Sequence, residues 1–157
     1  MKKIIPFLWF DNNLQQAMDF YKSVFDDFSI TYTNSYSKEG PGPEGCLMSG
    51  QFRMHSQDFM GLNGGPHFKF NEAVSFFINC DTQEEIDYYW EKLTADGGKK
   101  SRCGWLKDPF GLSWQICTPI LGKLLADPDR EKAARVMQAM MQMDKIDIAK
   151  IEEAAQG

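Results

Sequence analysis

Apolar positions along the chain switch between two periods, and the order of the switches repeats. From Ile4 to Phe10 a short apolar run reads as a strand, which Asp11-Asn12-Asn13 ends. Asn12 and Asn13 offer helix caps, and Leu14, Ala17, Met18, Tyr21, Val24 and Phe25 then recur at helical spacing. Turn-bounded runs predict three further strands, over residues 29–34, 46–54 and 59–63. The same order returns near Ala73. Residues 74–78 read as a strand, Asp81-Thr82 with Glu84 and Glu85 as a helix start, and Ile86, Tyr89, Trp90 and Leu93 as a helical stripe closed by Gly97-Gly98. Strands are predicted again over residues 99–102, 104–107 and 112–117.

A shift of 69 residues lays Ala17 on Ile86, Phe20 on Tyr89, Tyr21 on Trp90 and Val24 on Leu93, with Phe7 and Leu8 on Phe76 and Phe77. Each half is therefore a βαβββ unit, and the fold class is α+β. The modules run over about residues 4–64 and 73–118, within a domain of residues 1–118. The Gly- and Pro-rich segment between Ser37 and Gly45 reads as a mobile loop and a candidate lid. Residues 119–157 form a helical extension. Asp127 is the expected cap, with Pro128 at the first helical position, and Ala133, Val136, Met137, Met140 and Met141 share one face. A last helix from Asp147 to Ala155 carries Ile148 and Ile151 inward.

Composition narrows the functional classes. Hydrophobic residues make up 43% of the 157, enough for a core, and no apolar run reaches the length of a membrane span. The net charge is -5, from 17 basic and 22 acidic residues, and the basic ones form no stripe able to track phosphates, which argues against nucleic acid. Four cysteines, Cys46, Cys80, Cys103 and Cys117, make no CxxC pair and point to reduced thiols in the cytoplasm.

Pro6, Leu8 and Phe10 share one strand face, and Ser75, Phe77 and Asn79 share the face matched to it. With Gln115 turned inward, the expected pocket is largely apolar, and Ser75, Gln115 and Asn63 supply neutral hydrogen bonds. Such a lining suits a partly aromatic or amphipathic small molecule. His67, after Gly64-Gly65-Pro66, is the candidate rim hydrogen-bonder, whereas His55 reads as a surface histidine. Trp9, Trp105 and Trp114 are possible stacking surfaces, of which Trp105 is the preferred pocket wall. Cys103 and Cys117 have no adjacent His to activate them and read as structural.

The paired βαβββ units, the helix signature Ala17-Met18-Asp19-Phe20-Tyr21 and the turn Asp108-Pro109-Phe110-Gly111 resemble the vicinal oxygen chelate superfamily, the fold of glyoxalase I and extradiol dioxygenases. Within it, PFLWFDNN, FMGLNGGPHFKFNEAVSF and CGWLKDPFGLSWQI look like the PhnB-like family, often labelled 3-demethylubiquinone-9 3-methyltransferase. The match covers about residues 4–118, and the tail resembles that subgroup's. Metal-dependent members place ligands on the first strand of each half and a Glu near the end of each last strand. Here these positions fall on Pro6, Ser75 and Gln115, with Asn63 but no carboxylate in the first half. The resemblance thus implies a small-molecule binder without metal or other cofactor, and it allows the modules to pair within one chain or between two. A homodimer is expected from the concentration of Met137, Met140, Met141 and Met143 in one short stretch, adaptable contact residues, and from the shielding of sheet edges that pairing gives. The alternatives to a binder are an enzyme: a methyltransferase, as the label says, or a metal-dependent lyase, isomerase or dioxygenase. Against methyl transfer from adenosylmethionine, Gly61 to Gly65 close a strand instead of joining strand to helix.

Overall fold

The computed structural model describes residues 3–157, so the first two residues of the 1–118 domain lie outside the described residues. The chain divides into two units, residues 1–70 and 71–157. The first contains β1 (Phe7–Phe10), α1 (Leu14–Val24), β2 (Ser29–Ser35), β3 (Leu47–Met54) and β4 (Gln57–Asn63). Its sheet has the order β1-β4-β3-β2, with β1 parallel to β4 and the other pairs antiparallel.

One face of this sheet is covered by α1, which buries Leu14, Ala17, Met18, Tyr21 and Val24. Beneath the helix Tyr21 stacks on Phe52 and Phe52 on Phe59, with ring centroids 6.2 and 5.8 Å apart. Each such aromatic, fully buried, contributes roughly 1.5–3 kcal/mol. Gly61 in β4 lets the helix approach: a Cβ there would lie 2.4 Å from Cδ1 of Leu14. Asn13 stands at the N-cap but makes no side-chain capping bond. The first helical N–H, on Leu14, instead donates to Oδ1 of Asn63 at 2.9 Å.

The hairpin between β3 and β4 turns through His55 and Ser56, both at positive φ (45° and 59°), as a two-residue type I′ turn requires. Neither residue favours that conformation. The carboxylate of Asp27 braces the turn by accepting both their backbone N–H groups, at 2.9 and 3.2 Å. The bond from His55 N–H is the main reason that the Asp27 carboxyl is held below the usual carboxylate range.

In the second unit the elements are β5 (Ser75–Asn79), α2 (Gln83–Thr94), β6 (Lys99–Lys100), β7 (Trp105–Lys107) and β8 (Ser113–Cys117). They are followed by α3 (Pro119–Leu125), α4 (Arg130–Met141) and α5 (Ile148–Gln156). The sheet order β5-β8-β7-β6, with β5 parallel to β8, repeats the first. Thr82 caps α2 by accepting from Glu85 N–H, and the Glu85 carboxylate accepts in return from Asp81 N–H.

The signature turn before β8 is a structural clamp. Oδ1 of buried Asp108 accepts from the N–H groups of Phe110 and Leu112, and Oδ2 accepts from the Trp114 indole at 3.0 Å. Gly111 supplies the positive φ that closes the turn.

The extension packs within the second unit. Cys103 and Gly104 N–H donate to the carbonyls of Met143 and Asp144 at 2.8 and 2.7 Å. Gln83, at the start of α2, donates to Ile146 O and accepts from Ile148 N–H. Two expectations for this region are corrected. The cap of α4 is Asp129, which accepts from Glu131 and Lys132 N–H, while Asp127 braces the cap by accepting from Asp129 N–H. The predicted stripe is also split: Ala133 and Val136 are buried, but Met137 and Met141 are exposed, because α4 turns only its Ala133–Val136 edge to its neighbours. Among the described residues no helix is long and apolar enough to cross a membrane.

Candidate functional site

The best-formed candidate surface is the face of the second sheet turned away from its buried layer of Ile78, Leu106, Trp114 and Ile116. Register places Phe77 beside Gln115 and Gln115 beside Trp105, one row across three strands. Ser75 pairs with Ser113, and Gln115 Nε2 donates to Ser75 Oγ at 2.9 Å. Phe77 is 50% exposed and Trp105 partly so. This one face therefore brings together four residues singled out from sequence: Ser75, Phe77, Trp105 and Gln115.

The first unit differs from its sequence reading. Leu8 pairs with Gly61 and Phe10 with Asn63, on the face that α1 covers, and both Leu8 and Phe10 are buried in the core. Phe10 also packs edge-on against Phe70. Asn63 is fully used: Oδ1 caps α1, Nδ2 donates to Leu47 O at 3.0 Å, and its backbone carbonyl accepts from the Tyr36 hydroxyl. The face expected to line a pocket is thus packed against a helix.

The opposite face of β1 carries Phe7 and Trp9, and Trp9 borders a separate cavity of about 480 Å³. Leu62, Tyr36, Pro41, Pro43 and His67 complete much of its wall. Trp9 is fixed by donating Nε1–H to Gly65 O at 2.9 Å and by an edge-on contact with Phe68. Gly64 lies so close that a Cβ would fall 2.2 Å from the Trp9 ring. The Gly/Pro loop folds onto the Tyr36 ring, where Gly42 fits because it has no side chain. The structure thus puts His67 with the loop and Trp9, not with Leu8 and Phe10. Tyr36 and Leu62 were missed. The available signal was Gly61 opposite Leu8, since a glycine inside a strand marks close approach of another element.

The metal-ligand positions do not suit a divalent cation. The Pro6 carbonyl accepts from Met60 N–H, and the Gln115 amide and Ser75 hydroxyl are bonded to each other. These are neutral donors, whereas zinc takes imidazole, thiolate or carboxylate and harder cations take several charged oxygens. Among the described residues no three His, Cys, Asp or Glu side chains are grouped to hold a metal. The strand-to-helix connections carry Asp11-Asn12-Asn13, Cys80-Asp81-Thr82 and Thr118, with no glycine for close approach of a dinucleotide-like phosphate. Buried Cys80 has its thiol pushed up to about 12 by desolvation, reinforced by Glu85, and burial raises Cys117 as well, so neither is a ready thiolate.

Two four-stranded sheets, each with its first strand inserted in parallel beside its last and one helix on its buried face, define a protein of the vicinal oxygen chelate, glyoxalase-like class. The chain belongs to the family described as 3-demethylubiquinone-9 3-methyltransferase, whose model matches residues 2–117. It is similar to a PhnB protein from Bacillus cereus, at 36% identity and a TM-score of 0.66, over 74% of this chain and 98% of that one. Protein PA1353 from Pseudomonas aeruginosa is 19% identical with a TM-score of 0.60, over 75% of this chain and 98% of its own. The fosfomycin resistance protein FosX from Listeria monocytogenes, solved with Mn(II) and sulfate, shares the fold at 15% identity and a TM-score of 0.51, over 73% and 89% of the two chains. No curated protein matches the chain.

Proposed function

We propose that this protein binds a small, largely apolar organic molecule on the open sheet face of the second unit, without a metal ion. The observation that carries this reading is the Ser75–Gln115 hydrogen bond set between Phe77 and Trp105. Two aromatic side chains supply apolar contact, and the amide carbonyl and serine hydroxyl fix orientation, a combination suited to small-molecule sites. Native mass spectrometry of freshly purified protein tests it: a copurified small molecule is expected, and Ser75→Phe should release it without unfolding the chain. Equal retention by Ser75→Phe and Trp105→Ala would place the ligand elsewhere.

The family's description supports a second reading, methyl transfer. Under the first, adenosylmethionine gives no heat of binding in calorimetry, and a chelator leaves the melting temperature unchanged. Heat that saturates at one site would establish the second. We further propose a cytoplasmic homodimer. Free Cys46, Cys80, Cys103 and Cys117 support the compartment, and exposed Met137 and Met141 supply adaptable apolar contact for the dimer. Light scattering giving the mass of one chain, 18.0 kDa, would overturn the dimer.

A further inference from the structure

Beside the aromatic row on the second sheet runs a second row of different chemistry. Lys99 pairs with Lys107, Lys107 with Ser113 and Ser113 with Ser75, so these four residues cross the whole sheet on the face that carries Trp105. Three of them, Lys99, Lys107 and Ser113, border a cavity of about 530 Å³, whose wall also includes Lys100, Arg102 and Trp105. That volume suits a small organic ligand.

The charge is concentrated against the trend of the molecule. The chain as a whole carries -5, yet four basic residues, Lys99 and Lys107 on the open face together with Lys100 and Arg102, line this cavity with a single carboxylate, Glu72. Glu72 accepts from Lys107 Nζ at 2.6 Å, which fixes that ammonium in place and holds the Glu72 carboxyl below its usual range. No ion pair within the described residues engages Lys99, Lys100 or Arg102. Like charges directly opposite on adjacent strands are destabilising, so the Lys99–Lys107 pair is a standing cost that a bound anion would relieve.

Ser113 gives an independent sign. It is completely buried, lies on the cavity wall, and its hydroxyl has no hydrogen-bond partner among the described residues. A buried hydroxyl left unpaired is uncommon and calls for a partner that arrives from outside the chain.

We propose that this cavity recognises the anionic end, carboxylate or phosphate, of an organic molecule whose apolar part lies on Trp105 and Phe77. This rests on the binding reading above and adds the ligand class. Adjacent same-face rows in a sheet are about 7 Å apart along the strand, within the span of one molecule with an anionic head and an aromatic body. Lysine ammoniums and a serine hydroxyl provide charge-assisted hydrogen bonds to the head.

Nuclear magnetic resonance titration of the full chain with phenyl phosphate, inorganic phosphate and phenol tests the site. Phenyl phosphate should shift the amides of residues 99–107 and 113–115 and the Trp105 indole, saturating as one site. Its affinity should exceed that of phenol by at least about tenfold. Lys99→Glu combined with Lys100→Glu should weaken it by at least about tenfold, and Glu72→Gln, which removes the competing carboxylate, should strengthen it about threefold. Ser113→Ala should weaken it severalfold while leaving the melting temperature unchanged or higher. Shifts spread evenly over other surface lysines, or affinity indifferent to these variants, would overturn the anion site. The two readings fail separately. Phenol binding at Trp105 as tightly as phenyl phosphate would sink the anion site and leave the apolar wall, whereas phosphate binding here with no gain from the ring would keep the anion site and sink the wall.

Discussion

The two units have the same strand order and the same helix placement, yet they present opposite strand parities to their helices. In the first, Leu8 and Phe10 pack under α1; in the second, Phe77, which the 69-residue shift lays on Leu8, points away from the buried layer. The shift is sound for the helices, since Ala17, Tyr21 and Val24 and their counterparts Ile86, Trp90 and Leu93 are all buried. It is one residue out for the strands. The strand-to-helix connection of the first unit passes through Asn12 at a φ of 59°, and that of the second has no residue at positive φ. A slip of one residue moves a whole strand's side chains to the other face. A repeat can thus be correct in order and wrong in facing.

The glycines separate the units further. Gly61 and Gly64 make room for side chains, Leu14 and Trp9, whereas Gly104 meets backbone: a Cβ there would lie 2.7 Å from the Ile116 carbonyl, at a φ of 82°. Side chains can yield and backbone cannot. Gly104→Val should therefore have the largest effect of any change considered, destabilising by roughly 3 kcal/mol through strain and clash together. Gly61→Ala should cost clearly less. Urea midpoints of the two variants decide the matter, and equal losses would erase the distinction.

Asn63 and Gln115 are the next contrast, since both looked like neutral hydrogen-bonders for a ligand. Asn63→Ala should destabilise by about 2 kcal/mol, because the α1 cap and the bond to Leu47 O are both lost. Gln115→Leu should cost about 1 kcal/mol or less and act on ligand retention instead. Thermal denaturation of the pair is the measurement, and a collapse of Gln115→Leu would assign its amide to the fold.

At the start of each helix the units differ again. Leu14 is core, but Gln83 in the corresponding place ties down the extension. Gln83→Ala should cost about 1 kcal/mol and speed amide exchange at Ile148, whose N–H loses its acceptor. Unchanged exchange there would show that Cys103 and Gly104 hold the extension by themselves.

The smallest effect expected belongs to the hairpin of the first unit. Because the folded-state value of the Asp27 carboxyl is lowered, its contribution is fully present above the ordinary 3.8 and fades as the pH falls through the folded value. Asp27→Asn should remove only that acid-side slope, and a stability difference from the parent chain that is flat between pH 2 and 5 would refute it. Replacing Ser56 by Gly relieves a positive φ and should stabilise by roughly 0.5–1 kcal/mol, read as a rise in melting temperature.

Within the two modules the element order, both helices and all eight strands were legible from periodicity, because each helical stripe and each turn carries its own local signal; α3, which buries only Leu121, has no such stripe and was not foreseen. The face of β1 was not. Phe7, Leu8, Trp9 and Phe10 are all apolar, so alternation offers no choice between its sides, and the deciding contact is long-range, Gly61 against Leu14. Asn13 looked like a cap and Asn63 like a ligand contact for the same reason: Asn63 caps α1 from 49 positions away, and no local pattern reports such a bond. In the second sheet the polar Ser75 and Gln115 alternate with the apolar Ile78 and Ile116, so polarity indicates the facing of those strands and assigns Phe77 to the side of Ser75 by alternation. The basic cavity escaped notice because Lys99 and Lys107 are brought together by strand pairing alone.

The turn Asp108-Pro109-Phe110-Gly111 has a bearing on how relatives of this chain are recognised. Both oxygens of its carboxylate are spent on Phe110, Leu112 and Trp114, inside the fold. Closing this corner needs the Asp108 carboxylate and the positive φ of Gly111 whatever the sheet's open face binds. The motif therefore propagates architecture and is blind to chemistry, and members gathered by it can diverge in ligand as freely as the side chains of rows such as Lys99–Ser113 and Phe77–Trp105 allow.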